Sequence, residues 1–125
     1  PRELEQILTP LADAGVDIFE ASARDFADPA FLGSALSLAG WTRHLTGKLT
    51  VMVGGTCVRR GRYDATLTPP ETVDNLDEIM ARHANGEFDL LAVGRALLND
   101  PDWLQKVKNG EPLLAFDPDC LRLLR

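Results

Sequence analysis

The chain alternates helical and extended patterns from end to end, and that alternation restricts its fold more than any other feature. Leu4, Ile7, Leu8 and Leu11 recur at helical spacing before Gly15, with Pro10 placed to remove one hydrogen bond and kink the rod. Residues 16–21 (VDIFEA) then read as a buried strand, because β-branched and aromatic side chains suit a pleated surface. Periodicity is lost over residues 24–37, where Asp28-Pro29 and Gly33-Ser34 signal turns. A short helix is expected over residues 38–45, ended by Thr46-Gly47, and a second strand over 49–53 (LTVMV). After an irregular stretch at 56–70, Val73, Leu76, Ile79 and Met80 restore a helical stripe up to Asn85-Gly86. Residues 88–93 (FDLLAV) form the third strand, and residues 96–98 make a single helical turn. Asp100-Pro101-Asp102 opens a last helix that runs to Asn109-Gly110: the aspartate caps free N–H groups, and proline sits in the first turn, where no donor is needed. Strands joined through helical crossovers lie parallel, so the expected class is α/β with a parallel sheet that the first helix covers.

Two of these strands end in glycine. Val53-Gly54-Gly55 closes the second and Val93-Gly94-Arg95 the third. Glycine lets backbone N–H groups come close to an anion, and arginine adds a fixed charge with forked donors, so the pair describes a phosphate socket. In (β/α)8 barrels such a socket recurs in the loops after the last two strands and is completed by a short extra helix. The plainer alternatives are a tight turn at Gly54-Gly55 and an ion pair from Arg95 to Asp100 or Asp102. Three strands fall short of the eight that close a barrel in roughly 250 residues. An open doubly wound sheet is disfavoured too, since no GxGxxG turn follows the first strand. The reading is one partial domain over residues 1–125, the closing portion of a (β/α)8 barrel.

Composition excludes other classes. A net charge of -6 argues against a nucleic-acid surface. Apolar and charged contents of 45% and 26% are those of a soluble globular protein, and no stretch reads as a membrane span. Arg59, Arg60 and Arg62 form a dense basic patch of the kind a solvated loop carries. Cys57 and Cys120 are too few and too distant for a disulfide scaffold, and His44 and His83 give no ligand spacing with them. A reducing cytoplasm and no bound metal are therefore expected. No charged-then-apolar leader opens the chain, and Pro1 in place of methionine reads as a cut or processed start.

The stretches GVDIFEAS at 15–22, PAFLGSALSLAGWTRHLTGKLTVMVGG at 29–55 and EFDLLAVGRALLNDPDWLQKVKNGE at 87–111 resemble the C-terminal part of the Old Yellow Enzyme family, the FMN-dependent NADH:flavin oxidoreductases. DLLAVGRALLNDPDW carries the most specific part of the likeness. The resemblance implies a barrel with FMN at the C-terminal ends of its strands, this chain matching strands six to eight. Carried over residue by residue, Gly54 and Gly55 offer N–H groups to the FMN phosphate while Gly94 and Arg95 bind it from the other side. The loop bearing Arg24, Asp25 and Phe26 overhangs flavin and substrate in that architecture, making Phe26 a candidate for the substrate wall; an aromatic buried under a long loop is the alternative. Glu20 and Ser22 face either the barrel interior or the covering helices, and Trp41 and Trp103 are read as packing residues.

No residue here inherits a catalytic role. The family's flavin-ring contacts, its carbonyl-binding pair and its proton-donating tyrosine precede the matching region, Tyr63 lies where the family has no catalytic tyrosine, and residues 56–75 fit the family poorly. For a whole relative the implied chemistry is reduction of FMN by NADH or NADPH, then hydride transfer from the flavin to an electron-poor alkene. For this chain alone negligible activity is expected. Its three strands leave two open edges, which favour self-association or reliance on a separate N-terminal barrel portion. A non-catalytic phosphate-binding module and a barrel piece that takes a sugar phosphate are the other readings.

Overall fold

The structure, a computed structural model, describes residues 1–59 and 70–122. Its elements are α1 (Arg2–Asp13), β1 (Ile18–Ser22), α2 (Leu38–Thr46), β2 (Leu49–Val53), β3 (Val58–Arg59), β4 (Glu71–Thr72), α3 (Leu76–Ala84), β5 (Leu90–Ala92), α4 (Arg95–Asn99), α5 (Trp103–Asn109) and a final 3-10 turn (Pro118–Arg122). Arg60, Arg62 and Tyr63 lie outside the described residues. Contacts group the chain into two compact units, Pro1–Gly54 with Asp77–Ala92 and Gly55–Leu76 with Val93–Arg125.

The first unit holds the expected parallel sheet, in the order β1-β2-β5. Ile18 pairs with Leu49 and Ser22 with Val53, while Val51 pairs with Leu90 and Val53 with Ala92. Because side chains alternate along a strand, this register sorts them cleanly onto two faces. Phe19, Ala21 and Met52 are buried, and Ala21 and Met52 join Phe26, Ala39, Ile79 and Phe88 in one apolar cluster. On the opposite face Ile18, Leu49 and Leu90 remain 53%, 48% and 51% exposed. Glu20 and Ser22 share that exposed face, which settles the orientation the sequence left open.

Helix α2 packs on β1 and β2. Its start is fixed by Ser37, whose hydroxyl accepts the Gly40 N–H at 3.2 Å, and its end by Gly47 at φ +64°. At the other end of the sheet Asp89 ties helix to strand: Oδ2 accepts the Thr50 N–H at 2.8 Å and pairs with Arg43 Nε at 3.1 Å. The first helix departs from expectation. It runs unbroken through Pro10, and it packs mainly against α2 instead of covering the sheet. Pro10 lies in the last turn, where the Ala14 N–H still reaches the Pro10 carbonyl at 3.0 Å, so only one intrahelical bond is lost. No α1 residue is buried, and Ile7 and Leu11 stay 61% and 45% exposed.

The second unit begins with a feature the sequence did not announce, the antiparallel pair β3–β4, in which Val58 faces Thr72 and Arg59 faces Glu71. Cys57, Val58, Ala96 and Trp103 form its core, flanked by Val107 and Leu113. Asp100 organises the junction between α4 and α5. Its Oδ1 accepts the Asp102 N–H at 3.2 Å, its carbonyl accepts the Trp103 N–H at 3.0 Å, and its Oδ2 lies 2.7 Å from Lys106 Nζ. Gly110, at φ +66°, ends α5 as the sequence indicated. The returning chain is pinned at the Leu114 carbonyl by the Thr72 hydroxyl (2.8 Å) and at the Ala115 carbonyl by the Asn99 amide (3.1 Å).

Candidate functional site

In the first unit, the end of β2 is stitched to the loop that follows β1. The Ala23 N–H donates to the Val53 carbonyl at 2.9 Å, and the Phe26 N–H donates to the Gly54 carbonyl at 3.2 Å. Gly54 adopts φ +139°, and a Cβ built there would stand 2.1 Å from the Ala23 carbonyl oxygen. Glycine at 54 is thus required by the protein's own backbone, a reason that neither an approaching anion nor a simple turn had supplied.

In the second unit the same chain turns sharply through Gly55 (φ +73°) and Cys57 (φ +52°). A non-glycine residue in the left-handed region is uncommon, and this one is held there from one side by Asn75. The Asn75 Nδ2 donates to the Gly55 carbonyl at 2.9 Å, its Oδ1 accepts the Cys57 N–H at 3.0 Å, and the Val73 N–H reaches the Cys57 carbonyl at 3.1 Å. The N–H groups of Gly55 and Thr56 take part in none of these bonds. Asn75 and Thr56 are buried, 8% and 7% exposed, and the Thr56 hydroxyl has no partner among the described residues.

The thiol of Cys57 is sealed in the adjoining core, and burial pushes its pKa above the ordinary value; Asp74 adds to the rise, while the Trp103 indole N–H and the Asn75 contact oppose it. Trp103 is buried and packs against Cys57 and Val58 as a core residue, its indole N–H having only the weak thiol acceptor of Cys57 near it among the described residues.

Gly94 and Arg95 stand where the chain leaves β5, Arg95 being the first residue of α4. The Gly94 carbonyl accepts the N–H groups of Leu97 and Leu98 at 3.0 and 3.2 Å. A Cβ at Gly94 would meet nothing within 4 Å, in contrast to Gly54, so the space beside it is open.

Phe26 is 1% exposed and packs in the first unit's core, with the Arg82 guanidinium 5.8 Å from its ring centre. Its place is that of the aromatic buried beneath a long loop. Trp41 also packs: its indole N–H donates to the Ser34 hydroxyl at 3.1 Å, and Phe31 meets it edge-on at 5.5 Å. Asn75 and Thr56 were not singled out by the sequence. The stripe read from Val73 onward takes in Asn75 as an unremarkable helical position, whereas it stands just before α3, and the reach of its amide back to residues 55 and 57 leaves no local signal.

Among the described residues no three His, Cys, Asp or Glu side chains gather as metal ligands do, and no helix is long and apolar enough to cross a membrane. No family model matches the chain. Over 109 residues it is 29% identical to an NADH oxidase of Thermoanaerobacter brockii, a match that takes in 86% of this chain and 15% of that protein. It superposes on morphinone reductase with a TM-score of 0.54 at 18% identity, over 93% of this chain and 26% of that one. The chain therefore spans about a quarter or less of the proteins it matches. The structural likeness shows the fold, a portion of a (β/α)8 barrel built from parallel strands and crossover helices. In sequence as in fold, the chain resembles the C-terminal part of Old Yellow Enzyme-type barrels.

Proposed function

We propose that this chain supplies the phosphate-binding part of an FMN-dependent oxidoreductase of the ene-reductase kind, one that draws on NADH or NADPH and reduces an electron-poor alkene. The observation that carries this reading is the pairing of β2 with β5. The two strands are parallel neighbours with Val53 opposite Ala92 at their C-terminal ends, and the residues that follow them in the chain, Gly55 and Val93-Gly94-Arg95, belong to one and the same unit, the second. The likeness to an NADH oxidase and to morphinone reductase supports the redox class.

The local chemistry fits a phosphate monoester. The N–H groups of Gly55 and Thr56 are left out of the turn's own bonds, the space beside Gly94 is open, and Arg95 brings the charge that a dianion needs. In this reading Arg95 holds the phosphate by paired N–H donors and the glycine turn by backbone N–H groups, fixing one end of the cofactor and so orienting the rest. FMN, when bound, supplies the hydride chemistry. No catalytic residue is assigned within the chain, and Phe26, lying in the core, is left out of the site.

Affinity for FMN against riboflavin, which lacks the phosphate, tests the reading through flavin fluorescence quenching. FMN is expected to bind more tightly, and Arg95→Ala to weaken FMN by about tenfold or more while leaving riboflavin unchanged. Equal affinity of the unaltered chain for the two flavins would sink it.

The exposed face with Ile18, Leu49 and Leu90 favours a second reading, a module that self-associates without catalysis. Size-exclusion chromatography with and without FMN separates the two: a flavin-free oligomer with no FMN affinity supports the second.

A further inference from the structure

We infer that Asn75 is a positioning residue for the anion site, holding the turn at residues 55–57 in the conformation that presents the N–H groups of Gly55 and Thr56 to a phosphate oxygen. The inference rests on the phosphate-binding reading above and adds to it a residue outside both glycine strand ends.

The turn is not one that the chain adopts unaided. Gly55 lies at φ +73°, which glycine tolerates, but Cys57 lies at φ +52°, which a side chain disfavours. Between them the Thr56 hydroxyl is buried without a partner among the described residues. A turn that holds a left-handed cysteine and an unsatisfied hydroxyl persists only when its surroundings over-determine it, and such arrangements gather at binding sites. Asn75 does the over-determining. Its amide fits between the Gly55 carbonyl at 2.9 Å and the Cys57 N–H at 3.0 Å, both bonds buried, and uses one donor and one acceptor of a single planar group. With the carbonyl of 55 and the N–H of 57 both turned to Asn75, the Thr56 N–H between them and the Gly55 N–H before them have no hydrogen-bond partner among the described residues and remain for another acceptor. Successive backbone N–H groups that converge in a turn suit an anion, and in this proposal those of Gly55 and Thr56 do so.

Aspartate at this position keeps the acceptor for Cys57 but loses the donor for Gly55 and adds a charge beside the anion, so a neutral truncation is the cleaner probe. The test compares the unaltered chain, Asn75→Ala and Asn75→Ser for binding of FMN and of riboflavin, with circular dichroism and thermal melting recorded alongside. The expected result is a fall in FMN affinity of about tenfold with riboflavin affinity changed less than twofold, so that the preference for the phosphorylated flavin collapses. If Asn75→Ala does not fold, Asn75→Ser, which retains a short hydrogen-bonding group, supplies the same ratio. Equal losses for both flavins, or a lowered melting temperature with the FMN preference intact, would overturn the proposal and leave the phosphate reading standing. An unaltered chain that does not prefer FMN overturns both.

Discussion

The α-carbon of Gly54 rests against the carbonyl of Ala23, so close that a methyl group at 54 would lie 2.1 Å from that oxygen. Backbone meets backbone there, and no side-chain rotation can relieve the overlap. With φ +139° added, Gly54→Ala is expected to lower stability by about 3 kcal/mol or more. At Gly94, where a Cβ meets nothing and only the backbone angles (φ −104°, ψ −91°) are unfavourable to alanine, Gly94→Ala should cost about 1 kcal/mol or less. Urea denaturation of the two variants checks the contrast, and similar losses at both positions would contradict it.

Phe26 offers a second test, because its burial makes it a stability residue. It packs with Ile79 and Phe88 in the first unit's core. Phe26→Ala should cost about 3 to 5 kcal/mol through lost transfer energy and the cavity left behind, and Phe26→Leu about 1 kcal/mol. A variant that keeps full stability yet alters ligand binding would instead place the ring at a substrate wall.

The ion pair between Lys106 and Asp100 is the best-enclosed in the second unit among the described residues, its carboxylate side chain 5% exposed. Removing only the lysine leaves that carboxylate buried without its charge partner. Lys106→Met is expected to destabilise by about 2 to 3 kcal/mol, less than a fully buried pair because the ammonium is partly solvated. Chemical denaturation at neutral pH measures it, and a loss under about 0.5 kcal/mol would show the pair to be incidental.

Cys57 gives a pH signature. Burial raises its pKa, so the folded thiol keeps its proton after the unfolded chain has lost one. In that range the unfolded state binds fewer protons, and stability therefore falls as pH rises above the ordinary thiol value of 9.0. Below it the contribution is constant. The decline should be shallower in Cys57→Ala, and at pH 8 a thiol reagent should label the half-buried Cys120 well before Cys57. Equal labelling rates would refute the sealed environment.

Much of this architecture was legible in the sequence because it is written in local pattern. The strand at 49–53 was read to the residue, since LTVMV sits between two glycine stops, and α2 was placed within one residue by Gly47. Other features depend on partners far along the chain. Val58–Arg59 and Glu71–Thr72 are too short to show a period, and they form a ladder only because they meet each other. The apolar stripe of α1 correctly announced a helix but not what it would cover, because a stripe shows which face seeks a partner and not where that partner lies. The glycines at the strand ends were legible as special; that Gly54 answers to Ala23, and the turn at 55–57 to Asn75, became visible only in three dimensions.

The register that places Ile18 beside Leu49 and Val51 beside Leu90 has a practical consequence. A sheet that hides one side and wets the other presents three aliphatic side chains, Ile18, Leu49 and Leu90, in neighbouring strands, and Ile18→Lys is expected to lower light scattering across a concentration series if copies meet on that face.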